Sequence, residues 1–191
     1  MKSPRILTAM CGSFCTFAQV MPQLERLAQE GYALRGCMSR IAADTDTRFG
    51  AAQHWRNRLE EVTGGPIITT VVQAEPLGPK NMADLMLIAP CTGNTLARLA
   101  AGITDGPVTM AAKSLLRGGR PVVIALSTND GLGASAANIG RLLNTRNYYF
   151  VPFRQDDPIA KPNSLQADFT QLLPTIQAAL EGRQLQPLLC R

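Results

Sequence analysis

The chain has 191 residues, 46% of them hydrophobic and 17% charged, a composition that supports one packed core, excludes extensive disorder and points to a single domain spanning 1–191. No run reaches the ~18 consecutive apolar residues of a membrane span, and the opening MKSPRILTAMCGSF lacks a secretory core and cleavage site, so a cytoplasmic location with no membrane partner is expected. Nineteen Lys and Arg against 14 Asp and Glu leave a net charge of +5, but the cations are dispersed and aromatics make up only 5%, so small anions are expected as partners and nucleic acid is not.

Residues 5–10 (RILTAM) predict a strand, followed by Cys11-Gly12-Ser13. Phe17, Val20, Met21, Leu24, Leu27 and Ala28 then recur at helical spacing, predicting a helix over 14–30 that Gly31 stops. Residues 32–38 (YALRGCM) read as a second strand, so the chain opens as a parallel α/β unit. The polar stretch 39–49 is expected as a loop, 51–62 as a helix ending at Gly64-Gly65, 66–72 as a short extended segment and 74–81 (AEPLGPKN) as a turn. DLMLIAP at 84–90 is apolar on both faces, as a central parallel strand requires. Helices over 95–101 and 108–117, a buried strand at 121–126 (PVVIAL), a helix over 132–144, a last strand at 148–151 and a final helix over 165–180 complete the pattern. The fold class is α/β, a doubly wound sandwich with a mostly parallel sheet. TDGPVTMAAK at 104–113 is punctuated by apolar residues and is expected to be exposed as an interface.

In such folds ligands bind beyond the carboxyl ends of the strands. Those positions hold Gly12 and Ser13, then Ser39, then Pro90-Cys91-Thr92-Gly93-Asn94-Thr95, then Ser127-Thr128-Asn129-Asp130, then Pro152-Phe153-Arg154-Gln155-Asp156-Asp157. Small, hydroxylated and amide side chains at every strand end suit an anion held by backbone N–H groups and hydroxyls at a helix N-terminus. The same residues are also ordinary caps and turns. Neither GxGxxG nor GxxxxGK[ST] occurs. The five cysteines form no CxxC pair and His54 is the only histidine, so neither a disulfide framework nor a metal site is expected.

The motifs CGSFCTF at 11–17, TDTRFG at 45–50, AEPLGPK at 74–80, APCTGNTLARLAAGITDGPVTMAAKSLLR at 89–117, RPVVIALSTNDGLG at 120–133 and FVPFRQDDPIAKPNS at 150–164 span nearly the whole chain. They resemble the dipicolinate synthase B subunits, in the flavoprotein superfamily that also holds the flavin-containing cysteine decarboxylases. The resemblance implies a three-layer, flavodoxin-like or Rossmann-like sandwich assembled as trimers or multiples of trimers, with FMN at the subunit interface. By that resemblance Gly12, Ser13 and Ser39 meet the phosphate and the flavin loop falls on Pro90, Thr92, Gly93, Asn94 and Thr95, with Cys91 in place of an alanine. Ser127, Thr128 and Asn129 complete the expected cofactor set. Three departures stand out: residues 39–46 hold no histidine, the decarboxylases' Pro-x-Met-Asn-x-x-Met-Trp segment is absent, and Phe14 stands where relatives can carry histidine.

The resemblance further implies an oxidoreductase of bacterial sporulation, acting in the mother-cell cytoplasm. It would convert a hydroxytetrahydrodipicolinate or dihydrodipicolinate intermediate to pyridine-2,6-dicarboxylate together with an A subunit that binds NAD(P). A dicarboxylate substrate calls for cationic donors, and Arg48, Lys80, Lys113, Arg154 and Lys161 in the motif loops are the candidates. No catalytic residue is assigned: Asp156 and Asp157 read first as turn formers before Pro158, Cys91 as a packed thiol and His54 as a surface residue beside Trp55. The alternatives are a non-catalytic, stabilising subunit with a vestigial flavin site, and a stand-alone FMN-dependent decarboxylase.

Overall fold

A computed structural model describes residues 3–190. Strands β1 (Arg5–Met10), β2 (Ala33–Met38), β3 (Leu85–Cys91), β4 (Val122–Thr128) and β5 (Tyr148–Phe150) form a parallel sheet in the order β2-β1-β3-β4-β5. Two short strands, β6 (Phe153–Arg154) and β7 (Leu165–Ala167), extend it antiparallel from the carboxyl end of β4. The edge of β4 is thus shared: Val122–Ile124 pair with β5, and Ser127 and Thr128 pair with β7.

Alternation along the strands builds the two core layers. Ile6 and Met10 of β1 and Leu85 and Leu87 of β3 face one side, with Phe17, Met21, Leu24, Leu59 and Ile176. Those last residues come from helices α1 (Phe17–Gln29), α3 (Ala52–Thr63) and α8 (Leu172–Leu180). Leu7, Ala9, Met86 and Ile88 face the other side, with Leu96, Leu99, Ala111, Leu115 and Leu142. These belong to α5 (Gly93–Ala101), α6 (Pro107–Arg117) and α7 (Ala136–Leu143). Strands apolar on both faces are what a helix-covered parallel sheet requires.

The structure corrects several expectations. Within 39–49 lies a helix, α2 (Arg40–Asp44), because Ser39 Oγ accepts the Ala42 N–H at 3.3 Å and Ala42 and Ala43 are buried. The 66–72 segment contributes only a bridge from Ile68 to Cys37. Its end turns into α4 (Val71–Ala74), which Thr70 and Gln73 close with a reciprocal cap. The helix expected over 132–144 starts at Ala136, after a turn in which Gly133 and Ser135 N–H groups both reach the Asp130 carbonyl. The helix expected over 165–180 is instead β7, a cap in which Asp168 accepts the Thr170 N–H, and then α8. TDGPVTMAAK is not an exposed interface: Val108, Ala111 and Ala112 are buried on the inner face of α6.

AEPLGPK is a packing motif. Ser114 Oγ of α6 donates to the Glu75 carbonyl at 2.7 Å and accepts the Gly78 N–H at 2.8 Å. Lys80 lies on the exposed outer part of that turn.

At the amino end of the sheet, Arg5 Nη2 and Nε donate to the two oxygens of Asp84 at 2.8 and 3.1 Å, and the Arg5 backbone N–H adds a bond of 2.9 Å. Arg5 holds the Asp84 carboxyl at about 2, below its ordinary 3.8. A depressed carboxyl stabilises the fold above the unfolded value and stops doing so as pH falls through the folded one. Asp84→Asn should therefore cost about 1 kcal/mol at pH 7, a figure kept small because the pair is partly exposed. The difference from the parent chain should vanish between pH 4 and 2, as read by urea denaturation at each pH.

Candidate functional site

The strand order β2-β1-β3-β4-β5 reverses direction between β1 and β3, and ligands in such sheets bind at the carboxyl ends beside that reversal. Cys11 and Thr92 continue the two strands, tied by the Cys11 N–H bond to the Pro90 carbonyl at 3.1 Å. Gly12 and Thr92 form a ridge there with a cleft on each side.

The first cleft, about 830 Å³, gathers the N-termini of four helices: Ser39 and Arg40 of α2, Thr70 of α4, Thr92 and Asn94 of α5, and Gly106 and Thr109 of α6. Unpaired N–H groups in first turns and the aligned dipoles make such a place favourable for an anion. Thr92 Oγ1 accepts the Thr95 N–H at 3.2 Å and donates to Thr95 Oγ1 at 3.1 Å. Asp44 and Asp105 also border the cleft, and Arg98 pairs with Asp105 at 3.3 Å. Gly12 leaves the floor open: a Cβ there would stand 3.1 Å from Ile41 Cγ2.

The second cleft, about 650 Å³, runs from Gly12 and Ser13 to Ser127, Thr128 and Asn129, with Phe14 and Phe49 as aromatic faces. Ser13 and Ser127 hydroxyls share a hydrogen bond of 2.7 Å. Thr128 and Ser135 hydroxyls donate to Asp130 Oδ1, and the Thr128 bond, with a smaller part from Ser135, holds the Asp130 carboxyl below its ordinary range. Thr128, whose O–H is donated to Asp130 and whose oxygen meets the Asp130 N–H at 3.5 Å, keeps a lone pair to accept from an N–H in the cleft. Gly93 fits against this cluster because it has no side chain: a Cβ would lie 2.6 Å from Thr128 Oγ1 and 2.7 Å from Ser135 Oγ.

The expected cofactor residues are thus divided. Ser39, Asn94 and Thr95 line the first cleft, Ser13, Gly93, Ser127, Thr128 and Asn129 line the second, and Gly12 and Thr92 border both. Pro90 lines neither, being buried within β3. The expected substrate cations divide as well. Lys161 borders the second cleft, and with Arg48 it borders a third of about 600 Å³ that opens beyond Phe49. Lys113 lies in a separate apolar groove beside Leu99, Ile103 and Tyr148. Lys80 and Arg154 border none of these spaces among the described residues; Arg154 is exposed on β6, paired in register with Gln166.

Asp157 is a turn former, accepting the Ala160 N–H at 2.9 Å, whereas Asp156 pairs with Lys161 at 3.2 Å. Partial burial works to raise the Asp156 carboxyl, but hydrogen bonds from Ser164 and Lys161 outweigh it and hold it low. Cys91 is fully buried and burial pushes its thiol well up, so it packs rather than reacts. Burial likewise raises Cys11, to about 11. His54 is exposed on α3, edge-on to Trp55 at 4.9 Å. Asp130 was placed at a strand end but not in the expected cofactor set, and Arg40, Arg98 and Thr70 were not foreseen. The STND spacing signals Asp130, since a carboxylate two residues after Thr favours a local turn. No sequence pattern marks the other three.

Residues 1–166 match the family described as Flavoprotein. The chain is 47% identical over 189 residues to the B subunit of dipicolinate synthase from Bacillus subtilis (strain 168), covering 99% of this chain and 94% of that protein. A crystal structure of the dipicolinate synthase B subunit from Bacillus halodurans C superposes with a TM-score of 0.90 at 46% identity, covering 98% of this chain and 96% of that one. The FMN-dependent cysteine decarboxylase SpaF superposes at 0.67 with 26% identity, covering 94% and 97%. The parallel sheet, the cleft pair at its reversal point and near-complete coverage by these relatives agree: the chain belongs to the Flavoprotein family and, within it, to the dipicolinate synthase B subunits.

Proposed function

We propose that this chain acts as one unit, binds FMN across the first two clefts and works with a nicotinamide-dependent A subunit as an oxidoreductase that forms pyridine-2,6-dicarboxylate. The observation that carries the reading is the Gly12–Thr92 ridge, with helix N-termini on one side and hydroxyl, amide and aromatic groups on the other. A phosphate end suits the first cleft and a flat heterocycle the second, and both volumes lie in the range of small-molecule sites. Bound flavin supplies a two-electron acceptor.

In this reading a hydroxylated tetrahydrodipicolinate loses water, and the dihydro product then loses two electrons and two protons to become aromatic. The chain's residues bind and orient. Ser39, Thr92 and Thr95 hold the anionic end, Thr128 accepts from a ring N–H, and Phe14 and Phe49 exclude water from the ring faces. A decarboxylase role is less well supported, because no histidine borders any of the clefts among the described residues.

A homo-oligomer, a trimer or multiple of trimers, fits the exposure of Ile41 and Val72 beside the first cleft, 60% and 79% accessible. A second copy would cover them. No helix among the described residues is long and apolar enough to cross a membrane. The cytoplasm of a sporulating bacterial cell is the setting this reading implies.

Two measurements test it. Purified protein should show flavin absorption near ~450 nm, a property of the cofactor. The chain plus its A subunit, given the condensation product of the lysine pathway, should release pyridine-2,6-dicarboxylate faster than either alone. A colourless protein that still accelerates the A subunit would replace this reading with that of a stabilising subunit. A coloured protein with no effect on product formation would remove the oxidoreductase role.

A further inference from the structure

We infer that the third cleft is a subsite for a planar aromatic dianion, with Arg48 and Lys161 each taking one carboxylate. This deepens the reading above and rests on it for the identity of the dianion, while Arg48, Pro162 and Asn163 of the subsite lie outside the two flavin-sized clefts. Its space of about 600 Å³ opens from the second cleft, with which it shares Cys15, Phe49, Asn129 and Lys161.

Both cations stand on turns held in place. The Arg48–Phe49 turn is closed by the Thr47 and Gly50 backbone pair at 3.1 and 3.0 Å. The Trp55 indole N–H donates to the Phe49 carbonyl at 3.2 Å. Gly50, at φ +128°, packs where a Cβ would lie 2.8 Å from the indole nitrogen. The Lys161 turn is closed by Lys161 N–H to Asp157 carbonyl at 2.8 Å and Ser164 N–H to Lys161 carbonyl at 3.0 Å. Gln155 Nε2 donates to the Pro162 carbonyl at 2.8 Å. The Leu132 N–H ties the same turn to the body through the Asn163 carbonyl at 3.0 Å.

The charge inventory then sets the ligand. Arg48 forms no ion pair among the described residues and lies over the Phe49 ring at 4.9 Å. Lys161 has one partner, Asp156, at 3.2 Å, with the lysine side chain 55% accessible, so its remaining donors face solvent. Asp156 lines the second cleft, and no acid lines the third, where both cations stand. Asn129 and Asn163 add amide donors, and Phe49 adds a flat face. A ligand with a single carboxylate engages one cation and leaves the other bare. A ring with two carboxylates engages both, and charge-assisted contacts of this kind change affinity by about 10- to 100-fold each.

The test is calorimetric titration of the purified chain with pyridine-2,6-dicarboxylate and with pyridine-2-carboxylate at one ionic strength. The dicarboxylate should bind at least about 10-fold more tightly. Arg48→Gln and Lys161→Gln should each weaken it by about 10- to 100-fold and remove the preference over the monocarboxylate. Circular dichroism and oligomer mass should not change in either, and Arg48→Gln, which lines only the third cleft, should keep the parent's absorption spectrum. Arg154→Gln, an exposed cation outside the clefts, should bind as the parent does. No binding by the parent at millimolar ligand, equal affinity for the two ligands, or an equal loss in Arg154→Gln would each overturn the subsite, the last by showing a diffuse charge effect. A parent protein that shows no flavin absorption yet discriminates between the two ligands would sink the cofactor reading and leave the subsite standing.

Discussion

Gly78→Ala is expected to destabilise the chain by about 3 kcal/mol or more, at the upper end of what overpacking costs. The new Cβ would sit 1.9 Å from the Ser114 carbonyl oxygen and 2.8 Å from Ser114 Oγ. The nearest obstacle is helix backbone, so no side-chain rotation relieves it. Separation of the turn from α6 would also break the two hydrogen bonds through which Ser114 joins Glu75 and Gly78. Since Gly106 and Thr109 at the start of α6 line the first cleft, ligand binding should fall with stability. Gly65→Ala is the control: nothing lies within 4 Å of its Cβ, so its urea midpoint should stay within experimental error of the parent's. Equal midpoints for all three proteins would show that α6 yields at Ser114.

Ser13→Asp is the second large effect, and it falls on binding. Ser13 is half-buried at the ridge, hydrogen-bonded to Ser127 at 2.7 Å across the ends of β1 and β4. A carboxylate there breaks that bond and adds bulk and negative charge to the second cleft, next to the ridge that separates the proposed ring from the phosphate. A like charge at close range costs a few kcal/mol, so flavin affinity should drop by about 100-fold or more. Ser13→Ala removes only the hydroxyl and should cost about 10-fold. Fluorescence titration with FMN measures both, and circular dichroism checks that the fold persists. Parent-like affinity in Ser13→Asp would remove Ser13 from the site.

The central sheet was legible because its strands are apolar on both faces: RILTAM, DLMLIAP and PVVIAL lie within β1, β3 and β4 or overlap them by all but a residue or two. Short elements were not. Alternation over Leu165, Gln166 and Ala167 spans three residues, too few to separate a strand from the helix that follows. The α2 helix was hidden because Ser39 serves both as strand end and as cap. At the site, strand-end position located Gly12, Ser13, Ser39, Thr92 and Ser127 beside a cleft, since topology fixes where strands end. It could not sort Lys161 from Arg154, seven residues apart on one connection. The register that leaves Arg154 on the outer strand and Lys161 at the cleft is set by β6 and β7, which the sequence pattern did not reveal.

The divided edge of β4 has a consequence for variation. The parallel sheet is complete through Ile124, where Phe150 pairs with it, and the β6–β7 pair joins β4 only at Ser127 and Thr128. The connection between those two strands, with Ile159 95% accessible near its tip, can lengthen or shorten without moving a residue of either core layer. Loops whose ends are fixed by a short antiparallel pair tolerate insertion at little thermodynamic cost. The floor at Gly12 and Thr92 and the outer wall at Lys161 are therefore separate modules: one is bound to the geometry of the central sheet, and the other can change near Ile159 without disturbing either core layer.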